Sequence, residues 1–136
     1  QTVSYLQRRI SSRITITSHI YQEVELPLSA PLFEWVLEVL CKNSADAMSG
    51  AGSIEISGQI KDDRYIIDVT DTGKGIARKN FSSVFKAGYT TKQRGWGLGL
   101  SLSKRIIEEY HHGRIYVFQS IVGKGTTFRI ELPLVS

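Results

Sequence analysis

The sequence predicts an α+β sandwich: a mixed, mostly antiparallel sheet of about five strands with three helices on one face. Three observations lead there. Apolar residues recur at helical spacing in three separate stretches, β-branched residues alternate in five shorter ones, and the two kinds of stretch are interleaved along the chain. The 136 residues are 41% hydrophobic and 22% charged, the size and balance of one globular domain spanning residues 1–136. A chain of this length buries enough surface to need no disulfide or structural metal.

The elements follow in order. Val3, Leu6 and Ile10 predict a helix over residues 2–12, and Ile14, Ile16 and Ser18 then alternate as a strand. Ser29 is placed to cap a second helix with Pro31 in its first turn and Leu32, Val36, Val39 and Leu40 among its apolar positions, ending near Ser49 and Gly50. Residues 53–60 and 64–69, rich in β-branched side chains and separated by Lys61, Asp62 and Asp63, read as a hairpin. Residues 71–99 hold six of the twelve glycines with little periodicity, which is long for a simple connection and therefore marks a functional loop. A helix over residues 98–110 and strands over 114–120 and 126–133 complete the sheet.

Several function classes are excluded early. No run approaches the roughly 20 apolar residues that cross a bilayer, so the chain is expected to make no direct membrane contact. The net charge of +4 is not gathered into a basic face with interleaved aromatics, so nucleic acid is not an expected partner. The single cysteine, Cys41, lies in an apolar stretch, which excludes an internal disulfide framework and suits a reducing compartment. The first residue is Gln1, and the chain is expected to be a piece of a larger protein.

Four segments carry the chemistry: VLCKNSADAM (39–48), DTGKGI (71–76), GWGLGL (95–100) and GKGTTF (123–128). Asp71 ends an apolar strand, where a held carboxylate accepts a hydrogen bond from an exocyclic amine. Gly73 and Gly75 are expected to take positive φ and lie close to a flat ligand, with Ile76 lining the pocket. In GWGLGL the glycines run directly into a helical pattern, so backbone N–H groups and the positive helix end face anionic oxygens. Neither the GxxxxGK[ST] phosphate loop nor a strand-borne GxGxxG is present. Asn43, within a helix it does little to favour, offers a hard amide oxygen suited to Mg²⁺ carried in on a triphosphate. Asp46 and Ala47 share its face, and Asp46 is placed to reach the same metal shell through water.

In this order and spacing the segments resemble the N, G1, G2 and G3 boxes of the GHKL ATP-binding superfamily, and FSSVFKAGYTTK (81–92) resembles the F box of the sensor histidine kinases. The resemblance covers nearly the whole chain and implies a Bergerat fold that binds Mg-ATP. It assigns Asp71 to the adenine amino group, brings Thr126 to the adenine side with Thr127 a weaker candidate, and gives Asn43 the Mg²⁺. It further implies that Gly95, Gly97, Leu98, Gly99 and Leu100 line the phosphates, beneath a lid carrying Tyr89, Thr90, Thr91 and Lys92. Lys92 is the cation chosen to screen the leaving phosphates and, with Asn43, to assist catalysis. Phe81 and Phe85, four apart, are expected to form a short apolar helix that anchors the lid or docks on the acceptor hairpin, or else to pack in the core.

One departure bears on mechanism. One turn before Asn43, where the hydrolysing members of the superfamily carry a water-activating glutamate, stands Val39; Glu38 points about 140° away from Asn43 and is expected on the surface. Slow hydrolysis follows, which suits a kinase. None of His19, His111 and His112 sits like a phosphoacceptor, so the implied acceptor is a histidine on a separate dimerisation domain, with a response regulator as further partner. The expected setting is the cytoplasmic part of a membrane-anchored bacterial kinase, homodimeric at full length. The competing readings are a serine kinase of the anti-sigma-factor type, an ATP-driven clamp and a nucleotide-sensing interaction module.

Overall fold

The strands of the computed structural model, which describes residues 13–20, 30–49, 51–86 and 99–134, are β1 (Ile14–Ile20), β2 (Gly52–Lys61), β3 (Arg64–Asp71), β4 (Arg114–Ile121) and β5 (Gly125–Pro133). They form one sheet in the order β1-β2-β3-β5-β4. Two α-helices are described, α1 (Ala30–Ala47) and α2 (Gly99–Arg105). The parallel pair β1 and β2 is bridged by the segment containing α1, because parallel neighbours need a long crossover. Every other pairing is antiparallel. The sheet is therefore mixed and mostly antiparallel, as the alternation predicts. The helix expected over residues 2–12 lies outside the described residues. None of the described helices is long and apolar enough to cross a membrane.

Period-two alternation sorts the sheet into two faces. Ile14 and Ile16, Ile54 and Ile56, Ile67 and Val69, Ile115 and Val117, and Phe128 and Ile130 are buried together with Val36, Leu37, Leu40 and Cys41 of α1. Full burial of one such side chain contributes roughly 1.5–3 kcal/mol. The other face carries an ion pair: Arg129 donates to both carboxylate oxygens of Asp68 at 2.8 and 2.9 Å and lies 3.5 Å above the Phe118 ring. Phe118 is the extra residue of a β-bulge in β4, since Val117 pairs with Phe128 and Gln119 with Thr127.

One element differs from its expected form. The helix expected over residues 98–110 is described from Gly99 and changes at Ile106–Tyr110 into a π-turn, closed where Gly113 N donates to Ile107 O at 2.8 Å. His111 Nδ1 donates to Ile106 O at 2.9 Å, so this histidine caps a helix end, while His19 sits in β1, 3.0 Å from Glu55. Phe85 packs in the core, one of the alternatives expected for it, edge-on against Phe128 at 5.9 Å. Phe81 packs partly buried against the same core.

Candidate functional site

Asp71 is the last residue of β3 and is 4% exposed. Its Oδ1 accepts from Gly73 N at 2.9 Å and from Thr126 N at 3.2 Å. Two backbone donors thus lock the carboxylate, and both bonds fall on the same oxygen. Oδ2 keeps its acceptor capacity for something outside this triangle. The locking follows from position: Val69 and Asp71 share the helix-bearing face of β3, as Phe128 and Thr126 do on β5.

The loop after Asp71 is stitched from both sides. Lys74 N donates to Ala47 O at the end of α1 at 3.0 Å, and Gly123 N donates to Lys74 O at 2.8 Å. Gly75 has φ +82°, and a Cβ there would stand 2.5 Å from Ile121 O. Gly73 does not take positive φ, contrary to expectation. What requires glycine there is crowding, since a Cβ would lie 2.9 Å from both Ala47 Cβ and Ala47 O. At both positions the close neighbour is the protein itself. Ile76 packs partly buried against the core at the end of this loop.

Asn43 and Ala47 are half-buried and Asp46 exposed on the last turns of α1. Val39, one turn earlier, lies against the start of α2: a Cβ on Gly99 would come 3.1 Å from Val39 Cγ1. An apolar side chain thus stands where α1 meets the glycine-led helix, and Leu100 beside it is half-buried. Glu38 corrects the sequence expectation. It is buried, and its carboxylate pairs with Lys42 one turn on at 2.9 Å. Cys41 beside it is fully buried, and burial, with the Glu38 charge adding to it, pushes its thiol up to about 12. Tyr89, Thr90, Thr91, Lys92, Gly95, Gly97 and Leu98 lie outside the described residues.

Two threonines separate cleanly. Thr126 is buried beside Asp71, whereas Thr127 points to the opposite sheet face, where its hydroxyl lies 2.9 Å from that of Thr70. Thr127 therefore leaves the site, for the simple reason that neighbours on a strand face opposite ways. Ser120 was not singled out by any sequence pattern, yet its Oγ lies 2.7 Å from Thr126 Oγ1 and accepts from Ile76 N at 2.7 Å. Only the bulge puts it on this face, and nothing in the sequence marks that bulge.

A locked carboxylate at a strand end, a glycine loop packed on a helix terminus and an amide-bearing helix beside a second, glycine-led helix define a nucleotide-binding α/β sandwich. Residues 29–136 match the family of histidine kinase-, DNA gyrase B- and HSP90-like ATPases, and the chain belongs to that family. It is 41% identical over 102 residues to the sensor histidine kinase ZraS of Salmonella typhimurium, covering 74% of this chain and 22% of that protein. To the signal transduction histidine-protein kinase AtoS of Escherichia coli it is 36% identical over 128 residues, 92% of this chain and 21% of that protein. The chain thus spans about a fifth of these relatives. Its fold matches histidine kinase ThkA, solved in complex with the response regulator protein TrrA, at TM-score 0.81 and 23% identity, over 98% of this chain and 38% of the other. Both sequence relatives are named as histidine kinases.

Proposed function

We propose that this domain binds Mg-ATP and donates its γ-phosphoryl group to a histidine on a separate dimerisation domain of the same kinase, upstream of a response regulator. The observation that carries the reading is the fixed Asp71 carboxylate, with both backbone bonds on Oδ1, which leaves Oδ2 as the acceptor for a ligand. Oδ2 accepts a hydrogen bond from the adenine amino group, with Thr126 beside it on the same face. In the transfer, the bond from the γ-phosphorus to the β-bridging oxygen breaks and a bond to an imidazole nitrogen forms, leaving ADP.

The residues of α1 suit a hard cation: the Asn43 amide oxygen would hold Mg²⁺, and the exposed Asp46 carboxylate would reach its shell through water. Bound there, Mg²⁺ would neutralise charge on the leaving phosphates. Val39, packed beside Gly99, can neither take a proton from water nor hydrogen-bond it, which favours transfer over hydrolysis. Lys92 on the lid supplies a further cation for the leaving phosphates, and Tyr89, Thr90 and Thr91 close over the nucleotide with it. Gly95, Gly97 and Leu98, with Gly99 and Leu100 of α2, line the phosphates. The full-length kinase acts as a homodimer whose catalytic domain faces the cytoplasm, and the relative solved with its response regulator supports the final partner.

Calorimetric titration with a non-hydrolysable ATP analogue, with and without Mg²⁺ and against the GTP analogue, tests the reading. Adenine-selective, Mg-sensitive binding is expected. Absence of binding would overturn it.

A further inference from the structure

Ser120 sits at a junction of three segments. Its Oγ is 2.7 Å from Ile76 N, 3.0 Å from Gly125 O and 2.7 Å from Thr126 Oγ1. The chemistry of these partners fixes where the protons lie. An amide N–H only donates, so Ile76 occupies one lone pair of the serine oxygen. A carbonyl only accepts, so the single hydroxyl proton of Ser120 goes to Gly125 O. What remains on Ser120 is a second lone pair, and Thr126 Oγ1 at 2.7 Å must be the donor into it. The proton of Thr126 is thereby committed away from the pocket, and its oxygen is left as an acceptor.

The backbone builds this junction. Without an extra residue in β4, strict alternation from buried Val117 would turn Ser120 to the outer face. The bulge at Phe118 shifts the register so that Gln119 pairs with Thr127 and Ser120 with Thr126. Arg129, stacked 3.5 Å over Phe118 and held by two bonds to Asp68, covers the extra residue from outside. An outer-face ion pair therefore supports the aim of an inner-face hydroxyl.

We infer that Ser120 is a positioning residue of the nucleotide site, which by taking the Thr126 proton makes the base pocket acceptor-only and so selects an amino group over an oxo group on the purine. The inference rests on the proposed adenine-nucleotide binding and deepens it. With Asp71 Oδ2 and Thr126 Oγ1 both acceptors, a 6-amino group finds partners, and a 6-oxo group meets only lone pairs. Removing the Ser120 hydroxyl frees the Thr126 proton, which can then turn and donate to a 6-oxo group.

The test compares affinities for non-hydrolysable ATP and inosine triphosphate analogues in the parent, Ser120→Ala and Ser120→Thr. The parent-to-alanine change expected is a fall of about five- to tenfold in the adenine-to-hypoxanthine ratio, the size of one hydrogen bond, with the ratio restored by threonine. Equal weakening of both nucleotides, or an unchanged ratio, would mean that Ser120 only holds the fold and would overturn the inference. Should the alanine variant fail to fold, Ser120→Cys keeps the volume with a much weaker hydrogen-bonding group. Its ratio is expected to fall in the same way, and an unchanged ratio there overturns the inference equally. A parent that shows no preference for adenine overturns the nucleotide reading itself and this inference with it, whereas an adenine-selective parent with an unchanged variant ratio removes only the role of Ser120.

Discussion

Asp71 shows how much a single side chain can be told by its neighbours. Because Gly73 N and Thr126 N both donate to Oδ1, an asparagine there must turn its amide oxygen to them and present its NH₂ to the ligand. Asp71→Asn should therefore weaken the ATP analogue by tenfold or more, from the loss of about 1.5–3 kcal/mol of charged hydrogen bond. It should also shift preference toward a 6-oxo purine, and parallel titrations with both nucleotides check this; unchanged affinity would remove Asp71 from the site. At Asn43 the expected loss concerns the metal. Asn43→Ala should bind the nucleotide with little difference between Mg²⁺ and chelator, while a Mg dependence equal to that of the parent would exclude the amide as ligand. The faces on which Asp71, Asn43 and Val39 lie were legible because strand alternation and helix geometry fix them. Glu38 was not, since the burial of a charged residue with an ion-pair partner on its own helix depends on packing that spacing does not reveal.

Elements were legible where periodicity alone decides. The β2–β3 hairpin closes through Asp62 and Asp63, with Asp62 at φ 60°, much as the turn chemistry of residues 61–63 implied. Irregular backbone was not: neither the π-turn at Ile106–Tyr110 nor the bulge at Phe118 follows from side-chain pattern. The π-turn is closed by backbone and side-chain bonds from Gly113 and His111 just beyond it, and the bulge is covered by Arg129 of the neighbouring strand. Gly113 offers a test confined to the first of these. A Cβ there would stand 2.3 Å from Glu131 O and 3.3 Å from Ile107 Cγ2, so Gly113→Ala must push the π-turn away from β5. Overpacking of this kind costs about 1–3 kcal/mol. Thermal melting should fall accordingly, while the adenine-to-hypoxanthine affinity ratio stays at the parent value, because Ser120, Thr126 and Asp71 lie at the other end of β4 and β5. A lowered ratio with the lowered melting temperature would show that the two ends of the hairpin are coupled.

Across the whole molecule, α1 links binding to stability, for it carries Asn43 on the half-buried side and Leu40 and Cys41 fully within the core. Burial holds the Cys41 thiol neutral, lifting it from 9.0 to about 12. The folded pKa is raised, so this stabilising contribution is complete below pH 9.0 and is lost as pH climbs toward about 12, where the unfolded chain is already ionised. Near pH 8, then, a thiol reagent should reach Cys41 only through opening of the core, and its labelling rate should report the open population. A nucleotide that binds only the closed form lowers that population by the factor 1 + [L]/Kd. At about 100 times Kd of the ATP analogue, labelling should slow roughly 100-fold, and far less in Asp71→Asn at the same concentration. Slowing of that size would mean that the base pocket and the core under α1 open together. Labelling indifferent to saturating nucleotide would mean that Cys41 is uncovered by a motion that leaves the pocket intact, and that α1 does not couple the two.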